Sequence, residues 1–125
     1  METTRVLIDT NLFIEHIRAK RKDATPLVQI QAHRCRLSTS SIVVAELCYG
    51  ARTSLMRAEV EKVLFGVDIL PFTAQMALQL SVEAERLKTS GGVIGFRDLA
   101  VACAALSQGL PVATHNRREF SRIQG

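Results

Sequence analysis

The sequence predicts an α/β domain in which a parallel sheet is covered by helices on both faces. Three observations lead there. Short apolar runs alternate with stretches of helical periodicity along the chain. The first run, Arg5-Val-Leu-Ile8, is apolar at consecutive positions between polar flanks, as in a strand buried on both sides. No repeat, low-complexity tract or linker interrupts the 125 residues, so residues 1–125 are expected to form a single domain. A chain of this length can bury roughly two-thirds of its unfolded surface and needs no disulfide staple.

The elements follow in order. Asn11 to Lys22 has apolar residues at Leu12, Phe13, Ile14 and Ile17 and bases toward its end, an amphipathic helix matched to its dipole. Pro26 opens a short helix to about Ala32. Arg36 to Thr39 reads as a second strand, after which Ser41 caps a helix from Ile42 to about Ala51. Ser54 to Phe65 is a charged amphipathic helix, and Val67 to Phe72 a strand closed by Pro71. Thr73 caps the longest helix, through Leu87, before the Gly91-Gly92-Val93-Ile94-Gly95 break. A helix from Phe96 to Ser107, a strand from Leu110 to Thr114 and a helical turn from Asn116 to Phe120 complete the pattern. In parallel sheets ligands bind beyond the carboxyl ends of the strands, where strand order reverses. Asp9, Ser40 and the Thr114-His115-Asn116 turn occupy such positions.

Composition narrows the function. Apolar residues at 47% and charged ones at 22% exclude a disordered or collagen-like chain. The longest apolar run, Leu99 to Leu106, falls short of the ~18 residues of a membrane span, and the start does not resemble a signal peptide. A cytoplasmic domain is expected. Twelve of the sixteen basic residues are Arg and the net charge is +4, which suits an anionic partner. With no Trp and one Tyr, a nucleic acid would be held through its phosphates rather than by base stacking. Cys35, Cys48 and Cys103 lack metal or redox spacing; Cys48 and Cys103 lie in apolar helices and are expected in the core.

The carboxylates are the most informative residues. Nine of the twelve have polar surroundings or a strand edge, and three do not: Asp9 in Val-Leu-Ile-Asp-Thr-Asn-Leu, Glu46 in Val-Val-Ala-Glu-Leu-Cys, and Asp98 at the head of Asp-Leu-Ala-Val-Ala-Cys. A desolvated carboxylate costs on the order of several kcal/mol without compensation, so a shared partner is indicated. A hard divalent cation is the simplest such partner, and the lack of His-Cys spacing disfavours zinc. Each acid also has a structural alternative: Asp9 capping the first helix, Glu46 pairing with Arg97, and Asp98 facing its helix dipole.

Four segments carry a resemblance. They are Leu7-Ile8-Asp9-Thr10-Asn11, Ser40 to Ala51 around Glu46, Ile94-Gly95-Phe96-Arg97-Asp98-Leu99-Ala100, and Val112-Ala113-Thr114-His115-Asn116-Arg117-Arg118. In order and spacing, over almost the whole chain, they resemble the PIN-domain ribonucleases of the VapC toxin type. The resemblance implies a three-layer fold with a parallel sheet of four to five strands in order 3-2-1-4-5. It implies that Asp9, Glu46 and Asp98 bind Mg²⁺ or Mn²⁺, with Asn116 at a fourth catalytic position where many relatives carry Asp. An amide there adds no negative charge, so one tightly held ion is the expectation. Relatives continue past a glycine like Gly125 into a short fifth strand, and the sequence stops there, so either the chain is truncated or the edge strand is missing.

The resemblance further implies an endoribonuclease toxin that forms a homodimer, is held by a VapB-like antitoxin, and contacts DNA only through that partner. RNA would be cleaved by metal-activated water. Thr10 and Thr114 are candidates to support the ligands from behind, and Arg97, Arg117 and Arg118 to contact RNA, with Arg97 also placed to balance Asp98. The alternatives are a non-catalytic RNA-binding or regulatory PIN module, and a phosphoacceptor or phosphatase-like domain. Asp9-Thr10-Asn11 lacks the paired Asp such a phosphatase needs, and no Lys follows a later strand as in a receiver.

Overall fold

The computed structural model describes residues 4–92 and 94–123. Strand β1 (Arg5–Ile8) pairs in parallel with β2 (Arg36–Ser40), Leu7 opposite Ser38, and on its other side with β4 (Val112–Ala113), Leu7 opposite Val112. β2 pairs in parallel with β3 (Asp68–Leu70), giving the order β3-β2-β1-β4. This is the expected order for the first four strands; a strand beyond Gly125 lies outside the described residues. The consecutive apolar pattern of β1 is explained by burial, since Leu7 and Ile8 are wholly inaccessible.

The helices are α1 (Thr10–Arg18), α2 (Pro26–Ala32), α3 (Ser41–Gly50), α4 (Ser54–Leu64), α5 (Ala74–Thr89), α6 (Phe96–Gln108) and the short α7 (Arg117–Phe120). α1 packs with α2, α3 and α4, while α5 lies against α6. The core joins Leu7, Ile8, Phe13, Val43, Val101 and Cys103, each side chain contributing roughly 1.5–3 kcal/mol if apolar and fully buried. Met76, Leu80 and Leu87, which share a helical spacing, also face this core. No helix among the described residues is long and apolar enough to cross a membrane.

Several boundaries differ from the sequence reading, each for a local reason. α1 stops at Arg18 because Ala19 is extended and the Lys22 ammonium closes the end, donating to the Ile17 and His16 carbonyls at 2.6 and 3.1 Å. Lys22 itself belongs to a 3₁₀ turn, Lys22–Ala24. Ser40, not Ser41, caps α3 by accepting from the Ile42 amide at 3.1 Å. The Ser41 hydroxyl accepts instead from the Phe72 amide at 3.0 Å, fixing the chain after β3. β3 and β4 are shorter than expected, β4 beginning only after Pro111, which has no amide hydrogen to donate. α6 ends at Gly109, whose φ of 64° is a left-handed conformation that suits glycine, and its amide and that of Leu110 return to the Leu106 and Ala105 carbonyls.

Cys103 is buried as expected, but Cys48 is exposed. Its apolar neighbours in sequence lie around the helix, and the buried face of α3 runs through Val43 and Leu47.

Candidate active site

The sheet reverses direction of growth between β1 and β4, and the residue following β1 is Asp9. Its side chain is fully inaccessible. It caps α1, Oδ1 accepting from the Thr10 amide at 2.8 Å, while Oδ2 accepts from the Thr114 hydroxyl at 2.7 Å just beyond β4. Capping and site membership are therefore one arrangement. Glu46 reaches the same place from the middle of α3, and Asp98 from the first turn of α6, where a negative charge is favoured by the helix dipole.

One group joins all three acids. Arg97, beside Asp98 at the start of α6, donates from Nε to both Glu46 oxygens at 2.9 and 3.0 Å. Its Nη1 donates to Asp98 Oδ1 at 2.5 Å and Asp9 Oδ2 at 3.3 Å. Its Nη2 donates to Asp9 Oδ1 and, at 2.6 Å, to the Thr10 hydroxyl. The Thr10 hydroxyl passes its own hydrogen to Glu46 Oε1 at 2.7 Å. All three nitrogens of the guanidinium are thus engaged. Burial acts to lower the Arg97 pKa, but its hydrogen bonds to Asp9 and Asp98, the charge of Asp9 and the bond to Glu46 outweigh that and hold it above the ordinary value.

The shared compensating partner inferred from sequence is, in this structure, a guanidinium. The Glu46–Arg97 pairing considered as an alternative is present, and so are the Asp9 cap and the Asp98 dipole position. Among the described residues no group of three His, Cys, Asp or Glu side chains is arranged to hold a metal ion as it stands; Arg97 is paired with all three acids. One positive charge against three carboxylates nonetheless leaves the cluster two charges negative. Arg97 is turned onto the acids, whereas Arg117 and Arg118 are exposed on α7.

Asn116 is drawn in from the turn after β4. Its Nδ2 donates to Asp98 Oδ2 at 2.5 Å, and its amide donates to the Thr114 hydroxyl at 2.9 Å. His115 faces away to Glu15, Nε2 to Oε1 at 3.3 Å. A groove of about 410 Å³ begins at Glu46 and runs between α1, α3 and α4, lined by Ile14, Ile17, Leu47, Leu55 and Met56. Sequence reasoning missed it, because α4 has the pattern of a helix with a buried apolar face, yet Leu55 and Met56 remain exposed. It also missed that Tyr49 and Phe96 are exposed on α3 and α6, three and two residues from Glu46 and Asp98.

The PIN domain family model matches residues 6–125. The chain belongs to the PIN-domain family. Within that family the relatives it matches include VapC proteins. It is 31% identical to the tRNA(fMet)-specific endonuclease VapC of Shigella flexneri over 97% of this chain and 93% of that one. It is 35% identical to ribonuclease VapC1 of Haemophilus influenzae strain R2866, covering 94% and 90%. Among solved structures, DNA-bound VapBC from Salmonella typhimurium superposes with a TM-score of 0.81 at 32% identity, over 98% of this chain and 94% of that one. The VapBC2 structure from Rickettsia felis, bound to a promoter DNA fragment, gives 0.83 at 24% identity, over 96% and 93%, and supports the fold alone. The four segments singled out in the sequence all lie within this PIN domain.

Proposed function

We propose that this PIN domain is a Mg²⁺- or Mn²⁺-dependent endoribonuclease and the toxin of a toxin–antitoxin pair. The observation that carries the reading is the convergence of Asp9, Glu46 and Asp98, from three separate segments, on one cation at the switch point between β1 and β4. The names of its relatives, VapC endonucleases and ribonucleases, support the same activity. The donor set suits a hard divalent ion: carboxylates, with the Thr10 and Thr114 hydroxyls and the Asn116 amide behind them, and no thiolate or imidazole turned inward.

Asp9 and Asp98 would hold the ion, with Glu46 as a third ligand, directly or through water. Bound there, it would supply a Lewis acid for the phosphate and acidify a water for attack. Asp9 is held ready by the Thr10 amide and the Thr114 hydroxyl, so its oxygens need no rearrangement other than the release of Arg97. Glu46, about a third exposed, can orient the attacking water and accept its proton. Asn116 aims Asp98 through its amide and adds no charge, which favours one ion over two. Arg117 and Arg118, exposed just past this turn, would hold the RNA backbone by its phosphates.

The toxin reading draws on the VapBC complexes among its structural relatives and on the apolar groove that ends at Glu46. An amphipathic helix of a VapB-like antitoxin would fill that groove and bring a basic side chain to the acids. Homodimer formation, a cytoplasmic site of action and contact with DNA only through the antitoxin complete the proposal. The deciding experiment incubates purified, partner-free protein and RNA with Mg²⁺, Mn²⁺ or EDTA, then sequences the new ends. Discrete cleavage sites that vanish in EDTA support the enzyme; RNA binding without cleavage in either metal supports a non-catalytic module.

A further inference from the structure

Asp9 has no exposed surface and accepts four hydrogen bonds, two of them from Arg97. A carboxylate has about four acceptor positions, so no cation can be added to Asp9 while Arg97 remains. Glu46 gives both oxygens to Arg97 Nε, and Asp98 gives one to Nη1, so every proposed ligand is engaged by the same guanidinium. The other donors to Asp9, the Thr10 amide and the Thr114 hydroxyl, belong to the fold and cannot leave without disturbing α1 or the β4 turn. Arg97 can leave. Its side chain is 32% exposed and sits on the first turn of α6.

We infer that Arg97 is the site's own exchangeable counter-ion: its guanidinium holds the three carboxylates together before metal loading, and a divalent ion binds by displacing it. The inference rests on the metal reading above. Exchange of one positive charge for two lowers the residual negative charge of the cluster from two to one, so displacement is electrostatically favourable once the ion is present. The cost is that intrinsic metal affinity is diluted by the small fraction of molecules in which Arg97 is already out. Arg97 thereby stabilises the metal-free protein and weakens its hold on metal. A lysine at this position would retain the charge but not the planar fork that reaches Glu46, Asp9 and Asp98 together.

The test is calorimetric titration of Mn²⁺ into wild type, Arg97→Gln and Arg97→Lys, with thermal melts of each in EDTA and in saturating Mn²⁺. Loss of the competitor should tighten Mn²⁺ binding about tenfold or more in Arg97→Gln, if the open state is a tenth or less of the wild type. Arg97→Lys should fall between the two. The metal-free melting temperature of Arg97→Gln should drop, and Mn²⁺ should raise it by more than it raises the wild type's. A wild-type readout covers variants that fail to fold: the Arg97 Nε–H resonance, slow to exchange while it is bonded to Glu46, should lose its protection on titration with diamagnetic Mg²⁺. Equal affinities with a protected Nε–H at saturating Mg²⁺ would overturn the exchange and leave the metal site standing. No binding of either ion by any variant would overturn both.

Discussion

The Thr114 hydroxyl donates to Asp9 Oδ2 at 2.7 Å, tying the end of β4 to the end of β1 at the point where the sheet changes direction. The same hydroxyl accepts from the Asn116 amide at 2.9 Å, so one side chain sets both the buried acid and the turn that aims Asn116 at Asp98. Thr114→Val keeps the shape and removes both bonds. With a buried charged acceptor losing a donor, it should cost roughly 1.5–3 kcal/mol of stability, and Thr114→Ser should recover most of it. Denaturant melts of the three proteins check this; an unchanged midpoint for the valine variant would mean that the hydroxyl is dispensable.

Asn116→Asp places a fourth carboxylate against Asp98, where the amide now donates at 2.5 Å. The metal-free protein should lose stability, because two carboxylates then face each other with no hydrogen between them. Divalent ions should bind more tightly and restore the lost stability. The sign of both effects is read from melts with and without Mn²⁺ and from a calorimetric titration. If metal affinity and stoichiometry do not change, Asn116 acts only through the turn.

The thiols should separate by environment. Burial, with a further push from the charge of Glu83, raises the Cys103 thiol to about 11, whereas Cys48 is exposed on α3. Between pH 7 and 9 a thiolate reagent should modify Cys48 in the native protein and reach Cys103 only on unfolding. Peptide mass mapping after timed alkylation measures the order, and early labelling of Cys103 would contradict its place in the core.

The site was legible in the sequence where a charge interrupts an apolar run. Asp9 ends the run that forms β1, and Asp98 begins the apolar stretch of α6, so both acids could be identified from their neighbours before any fold was known. Strand order followed from the resemblance of four separated segments and agrees with the observed β3-β2-β1-β4. The role of Arg97 was less visible. Its neighbour Asp98 can be read directly, but Glu46 is 51 positions away and Asp9 is 88, and only the packing of α3 and α6 against the strand ends brings them together. Helix phase explains the misplacement of Cys48, whose neighbours are apolar but whose own direction is outward. The end of α1 was misjudged because Lys22 closes that helix from outside it, through a turn that leaves no periodic signal.

On the proposed function, Asp9, buried at the end of β1, would be a ligand charge for RNA cleavage. The most direct measurement is single-turnover cleavage of a sequenced target RNA in Mg²⁺ by wild type and Asp9→Asn, each shown to be folded by its melting transition. Asn keeps the side chain's shape and one acceptor oxygen for the Thr10 amide, and Arg97 keeps Glu46 and Asp98 as partners, so the variant should remain folded at reduced stability. Its cleavage rate should fall about 100-fold or more, because the lost charge would weaken the hold on the proposed water-activating ion. Near-normal cleavage by folded Asp9→Asn protein would contradict the account.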